Sequence, residues 1–162
     1  MNKISQLQIR VSPAEKKAIQ KASQKAEVGM SEWVLERLFP KNSKLFHDLV
    51  NKLKSEPQRS YVLAEIHDLL NRVSAVEFQE MVTRQPDVSL SCYLENYLAA
   101  MVEYAAAQKG VKTPAWTQHI KPLDHPHFGS DLMNLRIYLL THSPAPFRSR
   151  NVFIDSTIGQ RV

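Results

Sequence analysis

The chain has 162 residues, a formal net charge of +5, one cysteine and only four glycines. Its hydrophobic content of 43% is enough for a small head and one further compact domain without disulfide bonds. The lone Cys92 excludes an internal disulfide and suits a reducing compartment, and no apolar run approaches the length of a membrane span. We therefore expect a cytoplasmic protein with no membrane partner.

The first predicted element is a short strand at residues 6–11, where apolar and polar side chains alternate. Successive side chains of a strand point to opposite faces, so this pattern gives one apolar and one polar face. The polar face carries Gln6, Gln8 and Arg10. A strand this short needs a partner for its backbone hydrogen bonds, and no second strand follows nearby.

Two helices are predicted after the strand. Ser12 and Glu15 have the spacing of a capping box, and they indicate a helix over residues 13–26. Gly29 is expected to end that helix, and a second helix is predicted over residues 32–39 with a cap at Ser31.

This order of strand, helix, glycine turn and helix over residues 3–39 resembles the ribbon-helix-helix family of Arc and MetJ type repressors. The resemblance is carried by residues 6–11, by the helix start at 12–15 and by residues 28–33. In that family two chains pair their strands into an antiparallel ribbon that enters the DNA major groove, and four helices form the dimer core. The resemblance implies an intertwined homodimer that binds operator DNA.

The polar face of such a ribbon would read sequence in the major groove. There glutamine can bond adenine and arginine can bond guanine, each through two hydrogen bonds. The expected base-reading residues are Gln6, Gln8 and Arg10. Free amides at the start of the second helix would bind a phosphate, aided by the helix dipole. The expected phosphate-binding residues are Lys3, Met30, Ser31 and Glu32. The alternative is an ordinary edge strand with a solvated polar face.

The distribution of charge gives an independent argument for nucleic acid. Up to Lys44 the chain has nine lysines and arginines against four acidic residues, and the remainder has twelve of each sign. All of the net charge therefore lies in the first quarter of the chain. Such segregation is typical of a surface that binds nucleic acid.

The middle of the chain, residues 41–111, is predicted to be a helical bundle. Its first three residues, 41–43, are expected to form a short joint to the head. Apolar residues recur there at helical spacing, and the longest predicted helix covers residues 90–108 and ends at Gly110. We interpret these apolar stripes as a core rather than a cofactor site. The fold class is thus expected to be mainly α, with a ribbon-helix-helix head.

The last segment, residues 112–162, is predicted to be a proline-punctuated tail, irregular and partly extended. It has one helical stretch near residues 131–140 and one strand-like run at 151–154. Its aromatic side chains must either pack on the bundle or anchor a partner. On residues 114–116 and 143–155 the tail resembles those that follow DNA-binding heads in antitoxins paired with nucleotidyltransferase-like toxins.

The second resemblance implies an antitoxin of a type II toxin–antitoxin system. Such a chain represses its own operon through the head and neutralises a cognate toxin through the tail. The relatives more often carry a helix-turn-helix head, so a ribbon head departs from their pattern. The candidate toxin-binding residues are Trp116, Phe147, Arg148, Arg150 and Phe153. The alternative for the two arginines is an ordinary surface position beside a buried phenylalanine.

Two other hypotheses stay open beside the antitoxin. The chain could be a ribbon-helix-helix repressor whose helical domain senses a ligand or forms larger oligomers. It could also be a metal-dependent hydrolase with a DNA-binding head, since five residues are potential ligands: His119, Asp124, His125, His127 and His142. Their spacing matches no strong zinc pattern, and no glycine-rich phosphate loop is present. We expect no catalysis, no metal and no cofactor.

Overall fold

The computed structural model describes residues 8–38, 41–55, 57 and 59–155, except for the side chain of Glu36. Within these ranges the chain is mainly helical, with nine helices and two short strands, which confirms the expected class. The chain divides into two compact units, Met1–Pro40 and Lys41–Val162. We call them the head and the body. In the described ranges, every helix is too short or too polar to traverse a bilayer.

The head contains two helices, α1 (Pro13–Lys25) and α2 (Met30–Leu38), which pack against each other. The predicted capping box starts α1 and is confirmed. The backbone N–H of Glu15 donates to the Ser12 hydroxyl at 3.3 Å, and the backbone N–H of Ser12 donates to the Glu15 carboxylate at 2.7 Å. The proline at the first helical position loses no hydrogen bond there.

The turn between α1 and α2 differs from the prediction. Glu27, with φ of 55°, takes the left-handed conformation, and Val28 N–H donates back to the carbonyl of Ser23 at 3.1 Å. This is the hydrogen-bond pattern that normally has glycine at the left-handed position. Gly29 has no left-handed φ, and Ser31 lies inside α2 instead of capping it. The predicted glycine stop and serine cap are therefore wrong.

The predicted ribbon strand is not present in the described part of the head. Residues 8–12 form no regular secondary structure, and Ile9 and Val11 are exposed. Gln6 and Leu7 lie outside the described residues. A ribbon needs a second strand to accept and donate its backbone hydrogen bonds, and the described part of the head contains none.

The body contains the other seven described helices and both strands. Its elements are α3 (Lys41–Lys52), α4 (Arg59–Arg72), α5 (Ala75–Val82), α6 (Cys92–Gln108), α7 (Ala115–His119), β1 (His127–Phe128), α8 (Met133–His142), α9 (Ala145–Arg148) and β2 (Val152–Phe153). The expected joint at residues 41–43 is wrong, because these residues form the first turn of α3. Asparagine and serine are readily accommodated in a first helical turn.

The central element of the body is α6, which contacts α4, α5, α7 and α9. Ten of its residues are buried, and they include Ala99, Ala100, Ala105 and Ala106. These small side chains let the neighbouring helices approach closely. The predicted stop at Gly110 is confirmed: its φ is 64°, and Val111 N–H donates to the carbonyl of Ala106 at 3.0 Å.

The end of the chain belongs to the body. β1 and β2 pair in parallel, with His127 opposite Val152 and Phe128 opposite Phe153. The strand-like run predicted at residues 151–154 is thus confirmed at β2. Helix α9 packs against α6, so the last described segment covers a face of the central helix.

Candidate functional site

The described residues of the predicted DNA-binding surface are solvent-exposed. Gln8 and Arg10 lie in the irregular segment before α1, and both are exposed. Lys3 and Gln6 lie outside the described residues. On α1, the basic side chains are also exposed, and they are Lys16, Lys17, Lys21 and Lys25. The structure therefore places basic groups at the surface of the head without fixing a ribbon.

The predicted phosphate site lies at the first turn of α2. Met30, Ser31 and Glu32 are all exposed. The Trp33 N–H donates to the carbonyl of Gly29 at 2.8 Å. The first amides of a helix have no intrahelical acceptor. They face solvent here and could donate to an anion.

The head has no apolar core of its own within the described residues. Ser23 is its one buried residue there. Large apolar side chains are exposed instead: Ile9, Val11, Met30, Leu35 and Leu38. Leu38 is 54% exposed and Ile9 is 59% exposed. Two packed helices without a buried apolar residue lack the main driving force for folding alone.

Four of the five candidate toxin-binding residues are buried in the body. They are Trp116, Phe147, Arg150 and Phe153. The Trp116 indole N–H donates to the carbonyl of Val82 at 2.8 Å, so both its ring and its polar group are used internally. In this conformation none of the four presents a surface to a partner. Arg148 alone is exposed.

Arg150 fixes the last described segment to α6, to α7 and to the residue after α7. Its guanidinium forms an ion pair with Glu103 at 2.6 Å and donates to the side-chain oxygen of Asn96 at 3.2 Å. It also donates to the carbonyls of Thr117 at 2.6 Å and Ile120 at 3.3 Å. A buried charge is tolerated because these partners replace its hydration. In this structure Arg150 therefore forms a buried ion pair.

Helix α8 leaves most of its apolar side chains in solvent. Leu139 is its one buried residue, whereas Ile137 is 75% exposed and Met133 is 70% exposed. The other exposed apolar residues of this segment are Leu132, Leu135, Tyr138 and Leu140. Clustered exposed apolar residues of this kind mark a surface for a protein partner. We call this set the α8 surface.

A cavity of about 280 Å³ lies between α4 and α6 and is also lined by the C-terminal segment. Its α4 wall is Ser60, Leu63, Ala64 and His67, and its α6 wall is Tyr93, Tyr97, Met101 and Tyr104. The remaining lining residues are Gly129, Pro144, Phe147, Ile154 and Asp155. The lining contains neither lysine nor arginine.

The aromatic rings of the cavity stand at large angles to one another. Tyr97 meets Phe147 with ring centroids 5.4 Å apart at 77°, and Tyr104 meets Phe147 at 6.4 Å and 66°. Tyr93 meets Tyr97 at 5.8 Å and 59°. Burial raises the pKa of the Tyr97 hydroxyl well above its usual value, with a further increase from Tyr93, and burial also raises the pKa of Tyr93.

No protein-family model, no curated protein and no solved structure matches this chain. The function must therefore be argued from the geometry of the described residues.

The potential metal ligands do not assemble into a site within the described ranges. Nowhere there do three or more histidine, cysteine, aspartate or glutamate side chains come together as a metal site would require. The His127 ring packs on Tyr93 with centroids 4.0 Å apart, and the His142 ring stacks on Tyr138 at 4.0 Å. Both rings therefore lie against aromatic side chains.

The cavity is the feature that sequence reasoning missed. Tyr97 and Met101 belong to an apolar stripe of the longest predicted helix, and such a stripe predicts a core rather than a ligand site. The available signal was the spacing of three tyrosines on one helix, at Tyr93, Tyr97 and Tyr104. The hydroxyl of a buried tyrosine usually needs a hydrogen-bond partner. Repeated tyrosine on one helix face therefore favours a polar cavity or a ligand site over a wholly apolar core.

Proposed function

We propose that this chain is an antitoxin-type autorepressor that binds operator DNA as a homodimer through its head and binds a cognate toxin through its body. The observation that carries the proposal is that the described head is basic at its surface and has no buried apolar residue. Such a unit can bury its apolar side chains only against a protein partner. Its basic surface favours a polyanion as ligand.

A second copy of the chain is the partner that best completes the head. Pairing two copies of residues 6–11 would give each strand its missing hydrogen bonds and would place Ile9 and Val11 of both copies together. Leu35 and Leu38, exposed at the end of α2, would be covered in the same step. Association through one self-complementary patch is the usual geometry of homodimers.

DNA is the proposed ligand of the paired head. Dimerisation doubles the basic surface formed by α1, and phosphate contacts from such a surface supply most of the affinity. Gln6, Gln8 and Arg10 on the outer face of the ribbon would then contact base edges. The amides at the start of α2 would fix the register on phosphate.

The α8 surface is the proposed contact for the toxin. It lies between the two stretches that resemble antitoxin tails, residues 114–116 and 143–155, and its side chains are exposed, unlike the buried Trp116, Phe147, Arg150 and Phe153. An apolar helix presented in this way binds into a groove of a partner protein. Exposed Arg148 could add a contact to an acidic surface.

Replacing Arg10 with alanine tests the DNA proposal. We expect weaker binding to DNA from upstream of the chain's own gene, by roughly 1–3 kcal/mol, and little change on unrelated DNA, because the guanidinium reads a base. The matched control is Lys21→Ala on α1, which should weaken binding to both DNAs equally and reduce the salt dependence. Titration of both duplexes at fixed salt measures these effects. An equal loss for Arg10→Ala on both duplexes would contradict base reading.

Co-expression tests the toxin proposal. The protein encoded beside this chain should co-purify with it, and its toxicity should be relieved when the chain is produced in the same cells. Absence of a complex and of any rescue would overturn the antitoxin assignment and leave DNA binding untouched.

The cavity supports a second candidate, a DNA-binding regulator whose body senses a small molecule. Enclosed aromatic pockets with a few polar groups are the usual form of ligand sites. A compound that occupies the cavity and changes operator affinity would favour this candidate. Toxin neutralisation without any ligand response would favour the first.

A further inference from the structure

We propose that the cavity between α4 and α6 binds a small organic cation, with its charged nitrogen against the tyrosine and phenylalanine rings. The proposal names a ligand class for the second candidate function. Its evidence and its test concern the body alone, so it can hold even if DNA regulation fails.

The walls of the cavity come from two helix faces. On α4 the lining residues recur three and four positions apart, from Ser60 to His67, and on α6 they recur from Tyr93 to Tyr104. The C-terminal segment lines the rest of the space with residues that include Phe147 and Asp155. One described part of the chain therefore builds the whole site.

The rings provide the cation-binding surface. Tyr97 and Tyr104 each meet Phe147 at a steep angle, 77° and 66°, so neighbouring rings form walls of different orientation around the space. The negative face of an aromatic ring attracts a positive charge within about 6 Å, and a ring assembly of this kind is how proteins bind alkylammonium groups. Tyrosine is among the better rings for this interaction.

The polar groups of the lining favour the same charge. No lysine or arginine lines the cavity. The hydroxyls of Tyr93, Tyr97 and Tyr104 have no hydrogen-bond partner among the described residues, so their oxygens can accept from an ammonium N–H. An anionic ligand would find neither lysine nor arginine in the lining to replace its hydration.

Binding of cations beside neutral molecules of the same shape tests the proposal. The probes are choline and 2-phenylethylamine, each paired with its neutral counterpart, 3,3-dimethyl-1-butanol or 2-phenylethanol, in calorimetric titrations of the full chain. We expect at least one cation to bind roughly tenfold more tightly than its neutral counterpart, in line with the strength of desolvated cation–π contacts. Neither cation binding more tightly than its counterpart would overturn the proposal.

Two substitutions at Tyr104 separate the ring from the hydroxyl. Tyr104→Phe keeps the ring and should change cation affinity by no more than about threefold, whereas Tyr104→Leu should remove most of the tenfold preference. The matched control is Tyr61→Leu, at a tyrosine of α4 that is 76% exposed and does not line the cavity. Should Tyr104→Leu fail to fold, chemical shift changes of the tyrosine rings on cation addition to the Tyr104→Phe protein decide the question. Shifts confined to residues outside the cavity would refute the site.

Discussion

The guanidinium of Arg150 is a buried charge whose partners come from two separate segments. Glu103 and Asn96 lie on α6, and the carbonyls of Thr117 and Ile120 belong to α7 and the residue after it. The side chain of Arg150 is 6% exposed and that of Glu103 is 16% exposed. At such burial, loss of one partner leaves the other charge without its hydration or its counter-ion.

Arg150→Ala should lower the free energy of unfolding by about 3–5 kcal/mol, the usual cost of breaking a buried ion pair. Urea denaturation followed by circular dichroism measures it. The control is Arg148→Ala, which removes an exposed arginine two positions earlier and should cost less than about 0.5 kcal/mol. Equal effects of the two substitutions would show that the buried ion pair contributes little.

The residues that were predictable are those whose structure depends on near neighbours. The capping box at Ser12 is confirmed because its partner, Glu15, lies only three residues away. The prediction that Gly29 ends α1 is wrong, because the left-handed position at a helix end admits residues other than glycine. Glu27 occupies that position in α1. The burial of Trp116 could not be predicted, since its acceptor, Val82, is 34 positions away.

At the scale of elements, the two left-handed helix ends make a matched pair. α1 ends with Glu27 at φ 55° and α6 ends with Gly110 at φ 64°. In both, the N–H of the next residue donates to a carbonyl five positions earlier, Val28 to Ser23 and Val111 to Ala106. Only glycine adopts this conformation without a steric cost from its side chain.

Gly110→Ala should therefore lower the free energy of unfolding of the chain by roughly 1–2 kcal/mol, the cost of a left-handed residue with a Cβ. Glu27→Gly should raise it, because it relieves the same cost at the end of α1. Thermal and urea denaturation of both proteins measure the effects. A stabilising Gly110→Ala would contradict the assigned backbone conformation.

The capping box of α5 makes its helix start sensitive to acid. Hydrogen bonds from the backbone N–H and the hydroxyl of Ser74 hold the pKa of Glu77 below its usual value of 4.5. A carboxylate with a lowered pKa in the folded state stabilises the fold above the unfolded value, and this contribution is lost as pH falls through the folded value.

We expect Glu77→Gln to be less stable than the natural chain at pH 7, and the difference to shrink as pH falls below 4.5. Urea denaturation at a series of pH values measures the difference. Glu80→Gln, on the exposed side of the same helix and outside the capping box, is the control and should show no such convergence. A constant difference across pH for Glu77→Gln would refute the linkage.

At the scale of the whole molecule, the two exposed apolar surfaces lie on different compact units. Leu38 belongs to the head, and Ile137 belongs to the α8 surface of the body. The proposed dimer and the proposed toxin complex therefore use separate units, and a charge introduced on one surface should leave the other function intact.

Leu38→Glu should give a monomer that no longer binds operator DNA and still binds the toxin, because a charge at the dimer contact is desolvated without a partner. Ile137→Glu should give the reverse: a DNA-binding dimer that fails to bind toxin. Light scattering, DNA titration and co-purification measure the three properties. Loss of both functions in either protein would show that the two surfaces are coupled.

Truncation is a poorer test than these substitutions. Removing residues from 112 onward takes Trp116, Phe147, Val152 and Ile154 out of the core and leaves one face of α6 uncovered. A truncated chain would lose its activity through misfolding, whatever the role of the tail.

The parallel pairing of β1 with β2 also determines when the body can finish folding during synthesis. The residues of the head have all been made at residue 40, whereas α6 stays partly uncovered until β2 has been made about 110 residues later. At 5–20 residues per second that interval is roughly 5–20 seconds. During this time the uncovered face of α6 is exposed to chaperones and proteases.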